Sequence, residues 1–359
     1  MTATIMSAGE NKPPAVRQPL PNSPIDRPVY GPGMPVLPAR ESALRHRPGD
    51  PLLSVVVIVY RMRRQAMNTL LSLTPAYQRG VEAGDYEVIV VENASSELLD
   101  PEEVTALGPQ FRYVLREERE PTPVHAINHG ASLARAAMIA VMIDGARVIT
   151  PGVLAFTLAA QRLSANALVA VPGYHLGERL QQEAMLSGYD ENVEQELLAR
   201  IAWPQDGYRL FEIGCPSGTS IGGYFKPIGE SNFVALSREN WERLQGFDPR
   251  FNESGGGQVN LDFYRRAAEL PETVLIVLPG EGSFHQFHGG ITTGQSGEVR
   301  RQAMIAHFAQ YAAIRGGPYQ PPDKRPIYLG CYPDNNLQVM ERAARMRRLG
   351  RNDLGQPGE

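Results

Sequence analysis

Two carboxylates close buried apolar segments: Glu92 follows Tyr86–Val91, and Asp144 follows Met138–Ile143. A charge at the end of a buried strand is costly unless compensated, so each side chain either caps a turn or faces a ligand. Two such groups in register at neighbouring strand ends point to a site. Further candidates lie downstream. His285 and His288 are three apart and precede Gly289-Gly290, a pair that allows close backbone approach. Glu230-Ser231-Asn232 follows a Gly-rich loop suited to ordering over a ligand. Asp262 precedes Arg265 and Arg266 by three and four residues, the spacing of helix ion pairs. Arg61, Arg63 and Arg64, and the run Arg342–Arg351, are basic patches that either approach an anion or form a solvated face.

These residues need a frame to bring them together. Leu52–Tyr60 is β-branched and apolar apart from Ser54, which predicts a strand buried on both faces. Met67, Leu70, Leu71 and Tyr77 predict a helix that Pro75 kinks or ends. Tyr86–Val91, Phe111–Leu115, Met138–Ile143 and Leu168–Val171 predict four more strands, with an acidic connection at Glu97–Glu103. Helices are expected at His125–Ala137 and Val153–Leu163, the latter with Thr150 as N-cap and Pro151 at its first position. Alternating strand and helix predicts an α/β fold with a mostly parallel sheet flanked by helices.

The regularity then breaks. Glu178–Trp203 reads as helix interrupted at Gly188, and Phe211–Gly229 is rich in Gly, Pro and Ser. Asn232–Leu236 predicts a strand, with Ser237 capping a helix to Leu244. Val259, Phe263, Ala267 and Leu270 mark one face of another helix, and Thr273–Leu278 predicts the last strand. Glu298–Arg315 is a helix closed by Gly316-Gly317, and a basic helix is expected near Leu337–Leu349.

Composition narrows the function. The chain has 359 residues, 42% of them hydrophobic, and a net charge of −4, which argues against a general nucleic-acid binder. Cys215 and Cys331, its two cysteines, fit neither a disulfide framework nor a cysteine zinc site. The longest mostly apolar run is Leu52–Val59, interrupted only by Ser54 and short of the roughly 20 residues of a membrane span. The N-terminus lacks a basic segment followed by an apolar one, so no signal peptide and a cytoplasmic location are expected. Ten of the 30 prolines lie between Pro13 and Pro48, which predicts an extended or disordered arm over 1–50. The body is then 51–317, with halves at 51–175 and 176–317, and 318–359 is a C-terminal extension. No G-x-G-x-x-G or G-x-x-x-x-G-K-[ST] follows the first strand, which argues against a Rossmann dehydrogenase and a P-loop NTPase.

SVVVIVY from Ser54, EVIVVENASSE from Glu87, HAINHGASLARAAMIAVMIDGA from His125 and WERLQGFDPRF from Trp241 follow one another in order. In order and spacing they resemble the successive blocks of a GT-A-fold, family 2-like glycosyltransferase, over roughly Ser54 to His288. The resemblance implies transfer of a sugar from a nucleoside-diphosphate-sugar, foremost a UDP-sugar, to a hydroxyl acceptor. It implies a donor pocket of Val59, Tyr60, Glu92, Asn93, Asn128, Asp144, Gly145 and Ala146, with Glu92 near the base. Asp144 falls at the D-x-D motif, which holds Mn²⁺ or Mg²⁺ on the diphosphate. The second carboxylate of that motif is missing from Asp144-Gly145-Ala146, and His288 is the implied replacement. For His285 and His288 alike, metal ligation, a structural hydrogen bond and acceptor contact stay open.

Asp248, Asn260 and His285 are implied on the acceptor side, Asp248 more as a turn residue than a catalyst. The Glu-Asp pair that supplies the base in inverting members reads Gly257-Gln258 here, which leaves Asp262 and Glu230 as candidates and stereochemistry open. Expected partners are the donor and a small-molecule, glycan or natural-product acceptor, and the terminal arms are compatible with a homo-oligomer. Two other readings remain. One is a nucleotidyltransferase of related fold, although its Gly-rich basic loop is absent. The other is a nucleotide-sugar-binding protein without turnover.

Overall fold

A computed structural model describes residues 49–118, 120–220, 228–288 and 297–348, with the side chains at 342, 343 and 345–348 outside that set. The described residues belong to one unit, Leu37–Glu359. The Pro-rich arm lies outside them except at residues 49 and 50, as do Gly289, Gly290, residues 349–351 and the arginine side chains of the basic run Arg342–Arg351.

In chain order the elements are β1 (Leu53–Val59), α1 (Arg63–Leu71), β2 (Tyr86–Asn93), α2 (Pro101–Ala106), β3 (Phe111–Arg116), α3 (Val124–Leu133), β4 (Met138–Met142), β5 (Arg147–Ile149), α4 (Val153–Leu163), β6 (Ala167–Ala170), β7 (Gly173–Leu176), α5 (Gln181–Ala184), α6 (Glu191–Arg200), α7 (Leu210–Ile213), β8 (Gly214–Pro216), β9 (Phe233–Ser237), α8 (Arg238–Leu244), α9 (Val259–Glu269), β10 (Val274–Val277), β11 (Ser283–His285), α10 (Gly297–Arg315), β12 (Ile327–Tyr328) and α11 (Leu337–Arg348). The main sheet has eight strands in the order β12-β10-β6-β9-β4-β1-β2-β3. Only β9 runs against its neighbours β4 and β6. The fold is α/β, with a mostly parallel central sheet flanked by helices.

Every residue of β1 and β2 is buried, as strands covered on both faces must be. Side chains alternate between two cores. Val55, Val57, Val88 and Val90 meet α1 and α4, whereas Val56, Ile58, Ile89 and Val91 meet α3, α8 and α9. Ser54 is the polar exception in β1, and it is satisfied: its hydroxyl donates to Glu87 Oε1 (2.7 Å) and accepts from Ala136 N (3.0 Å). Glu87 also receives Arg135 N and Nε at 2.7 and 2.9 Å, so one buried carboxylate ties β1 and β2 to the entry of β4.

A second sheet of four strands, β5-β11-β7-β8, lies in the chain beyond the carboxyl ends of the first. Its pairings alternate two rows. Val148, Phe284 and Tyr174 are paired in an apolar row within a third core. Arg147, His285, His175 and Cys215 are paired in the next, and so share the opposite face.

Several expectations are corrected. Thr150 is not the cap of α4, whose N-cap is Gly152. The Thr150 hydroxyl donates to buried Glu281 (2.5 Å) and accepts from Gly282 N (2.9 Å). The acidic connection contains α2, capped by Asp100 with Pro101 at its start. Thr273–Leu278 does not hold the last strand, because β11 and β12 follow β10. Past residue 318 the chain returns to the main sheet, where β12 pairs in parallel with β10. The Ser237 cap of α8 is as expected, accepting from Asn240 N at 3.2 Å.

Candidate active site

The parallel register sets the site's level. Val59 pairs with Glu92, and Val57 pairs with Met142. Asp144, two residues past Met142, therefore reaches the level of Glu92 with β1 between them. At the usual strand spacing their backbones are about 10 Å apart. Gly145 makes the turn: its N–H donates to Ile58 O (2.8 Å), and a Cβ there would lie 2.6 Å from that oxygen. Only glycine permits that approach at the middle position of Asp144-Gly145-Ala146. Ala146 N donates to Asp144 Oδ1 (3.0 Å) and fixes the carboxylate.

Asp144 Oδ2 then faces two imidazoles. It lies 2.9 Å from His285 Nε2 and 3.6 Å from His288 Nε2, and the two nitrogens are 3.2 Å apart. The structure thus brings both histidines to Asp144, and His285, expected on the acceptor side, is the nearer. Its Nδ1 lies 2.5 Å from Gln181 Oε1, an acceptor, so that nitrogen carries the hydrogen and Nε2 presents a lone pair to the cluster. Gln181 is itself held, through Nε2 on His285 O (2.9 Å) and its N–H on His175 Nδ1 (3.1 Å).

The segment carrying His288 is fastened residue by residue. Gln286 N donates to Ala146 O (2.8 Å), and its side chain bridges Gln65 O and Asn68. Phe287 N donates to Glu194 Oε2 (2.6 Å), and Phe287 O accepts from Gln65 Nε2 (2.6 Å). Burial pushes the Glu194 carboxyl up to about 7.

Three donors converge here, all within 4.8 Å of one another. Burial would raise the Asp144 carboxyl, yet His288 and His285 hold it well below its ordinary value. Burial pushes His285 down to about 4 against the pull of Asp144. For His288 burial also opposes the proton, but Asp144 outweighs it and the pKa is raised. One carboxylate oxygen and two Nε2 atoms, one with its far nitrogen already fixed, form a fitting donor set for a divalent ion.

Glu92 is fully buried. Its Oε2 accepts from Tyr113 OH (2.7 Å) and Leu99 N (3.0 Å), while Oε1, like Asn93 Oδ1, is buried with no partner among the described residues. Burial raises the Glu92 pKa, against the two hydrogen bonds. Val59 is buried, and Tyr60 is half-exposed beneath Arg61 at 5.1 Å. Arg63 pairs with Glu103 at 2.7 Å on the surface.

Other expected residues are not brought to the cluster. Asn128 is taken up by the backbone of Phe247, which it meets through both Nδ2 (2.8 Å) and Oδ1 (2.9 Å). Asp248 is held by Arg250 (2.6 Å) and Arg315 (2.8 Å), which keep its carboxyl well below the usual range. Asp262 is buried in bonds to Arg266 (2.8 Å) and Arg315 (2.5 Å), the first of them the helix pair that its spacing predicts. Glu230 differs: it accepts from Thr219 Oγ1 (3.2 Å) and Asn260 Nδ2 (2.8 Å), and no ion pair forms on it among the described residues. Asn260 Oδ1 and Gln258 Oε1 are buried with no partner among the described residues. Gln181, Glu194 and Arg147 escaped the sequence reading. Of these only Arg147 carried a signal, as a charge three residues past Asp144 inside an apolar stretch.

No family model and no curated protein matches the chain. Among solved structures it is similar to S. aureus TarS 1–349, at TM-score 0.44 and 14% identity over 72% of this chain and 65% of that one. S. aureus TarS matches at 0.42 and 14% over 82% and 43%, and TarS 1–349 in complex with UDP-GlcNAc at 0.44 and 12% over 82% and 72%. The chain thus spans less than two thirds of the first two. No described helix is long and apolar enough to cross a membrane.

Proposed function

We propose that the chain is a metal-assisted glycosyltransferase of GT-A type that moves a sugar from a UDP-sugar to a hydroxyl acceptor. The observation that carries this reading is the convergence of Asp144, His285 and His288 at the carboxyl edge of a parallel sheet, one strand from a buried Glu92 with a free oxygen. Asp144, His285 and His288 would hold the ion. Two imidazoles favour Mn²⁺ over Mg²⁺. When bound, the ion supplies positive charge against that growing on the leaving diphosphate.

The chain's own residues do the rest. Glu92 Oε1 accepts from an N–H of the base, and Asn93 Oδ1 is a second acceptor beside it. We assign the general base to Glu230, because Asp262 is locked between Arg266 and Arg315. Glu230 takes the acceptor hydroxyl proton as that oxygen attacks the anomeric carbon and the bond to the diphosphate breaks. A binding protein without turnover is the second reading, favoured by Gln258 where an acidic residue would serve.

Calorimetric titration with UDP, with and without Mn²⁺, tests the site. Mn²⁺ is expected to strengthen UDP binding, and Asp144→Ala and His288→Ala to weaken Mn²⁺ by roughly tenfold or more. No UDP binding under either condition sinks the donor site, and unchanged Mn²⁺ affinity in both variants sinks the metal assignment. Binding also weakens as pH falls, because His288 must be neutral to coordinate. A donor-hydrolysis assay separates the two readings: Glu230→Gln lowers the rate by roughly 10²–10⁴ in an enzyme, whereas a binder gives no rate to lower.

A further inference from the structure

Arg147 opens β5 three residues after Asp144, and its backbone is fixed. Its N–H donates to Thr69 Oγ1 (3.0 Å), and its Cα pairs with His285 across an antiparallel register. Residues paired this way present their side chains on one face, so the guanidinium shares the polar face of the second sheet with His285. It is only 7% exposed. Its Nε and Nη1 are buried and donate to nothing among the described residues. Asp144 Oδ2 lies 3.8 Å from Nε, too far for a hydrogen bond, and that oxygen is already 2.9 Å from His285. A buried charge is ordinarily matched by hydrogen bonds as well as by a counter-charge, because unpaired N–H groups there keep their full desolvation cost. Here that match is half made.

Building on the donor-site reading above, we infer that Arg147 binds an oxyanion of the donor. A guanidinium is always charged, and its planar donors fit phosphate or carboxylate oxygens. Charge points the same way. A divalent ion on Asp144 would stand close to this guanidinium, and the two carboxylates whose charge reaches Arg147, Asp144 and Glu230, do not offset both. A dianionic group does. It can come from two sources: the diphosphate itself, or the carboxylate of a uronic sugar added to it. The ion would draw the anion in on one side, and Arg147 would fix its orientation on the other.

The test is calorimetric titration of the full chain and of Arg147→Met and Arg147→Lys, with uridine, UDP, UDP-glucose and UDP-glucuronate. Each is run with and without Mn²⁺, and melting temperatures are recorded alongside. If the diphosphate is the anion, Arg147→Met weakens UDP by roughly tenfold to a hundredfold, leaves uridine unchanged, and shows the loss without Mn²⁺ too. If a uronate carboxylate is the anion, only UDP-glucuronate loses that affinity. Where the Met variant does not fold, the Lys variant carries the comparison, since it keeps the charge but loses the planar donors. Equal affinity of wild type and a folded variant for every nucleotide overturns the role of Arg147 and leaves the donor site standing. A wild type that binds no nucleotide overturns both.

Discussion

His285 shows how one side chain is prepared at the residue scale. Gln181 takes the hydrogen of one ring nitrogen, and burial keeps the other unprotonated, so a lone pair faces Asp144 in a low-dielectric setting. Glu281 shows a buried carboxyl with a structural task. It receives Thr150 Oγ1, Tyr208 OH (2.8 Å) and Gly152 N (3.1 Å), and burial pushes its pKa up to about 7 from an ordinary 4.5. The native state therefore holds this proton more tightly than the unfolded chain. Its stabilising effect is complete below pH 4.5 and is lost as pH rises through 7. Glu281→Gln removes the titration while its amide oxygen still accepts from Thr150 Oγ1 and Gly152 N and its amide nitrogen faces the Tyr208 hydroxyl oxygen, which can accept. Thermal unfolding at pH 5 and pH 8 is expected to show wild type losing on the order of 3 kcal/mol more than the variant between the two. Parallel losses would contradict the assignment.

Elements position these residues through close approaches. α3 lies on β1 and β2, and Gly130 makes that possible: a Cβ there would meet Val56 Cγ1 at 2.4 Å and Val91 Cγ2 at 3.0 Å. The helix cannot settle over β-branched strands with a larger residue at its contact point. Gly130→Ala is expected to destabilise the fold by about 1–3 kcal/mol through overpacking, despite alanine's better helix propensity. The midpoint of chemical unfolding reads this, and Val56→Ala in the same chain should recover part of it. A Gly130→Ala chain as stable as wild type would mean that the helix sits farther from the sheet. Between elements, three-residue strands do the precise work: β5 carries Arg147 and β11 carries His285, paired Cα to Cα.

At the scale of the whole molecule, the chain after Gly317 completes the sheet that holds the site. β12 covers the edge of β10, with Leu329 N on Val277 O (3.0 Å). Lys324 Nζ donates to Ala268 O (2.8 Å), and Asn336 Nδ2 donates to Pro279 O (2.9 Å). A chain ending at Gly317 would expose the apolar edge Val274–Val277, and open edges pair with other chains. Such a truncation is expected to melt earlier than the full chain and to gain mass with concentration in light scattering. Melting and mass equal to those of the full chain would show that β12 is dispensable.

The long strands were legible because a run such as Val55–Val59 has no stable place except between two covered faces. Glu92 and Asp144 stood out for the same reason, as carboxylates that end such runs. The second sheet was not legible. Its strands are three or four residues long, too short to show a period, and pair segments as distant as Arg147 and His285. The surroundings of Asp262 were half legible: Arg266 pairs with it at the helical spacing, but its other partner, Arg315, lies 53 residues away on another helix. By itself the sequence determined which residues must be buried, and hence the α/β sheet and the charges at its edge, because burial follows from local chemistry. Which of those charges meet was decided only in three dimensions. His285, His288 and Arg147 gather on Asp144 through backbone pairing, and that pairing depends on the path of the whole chain.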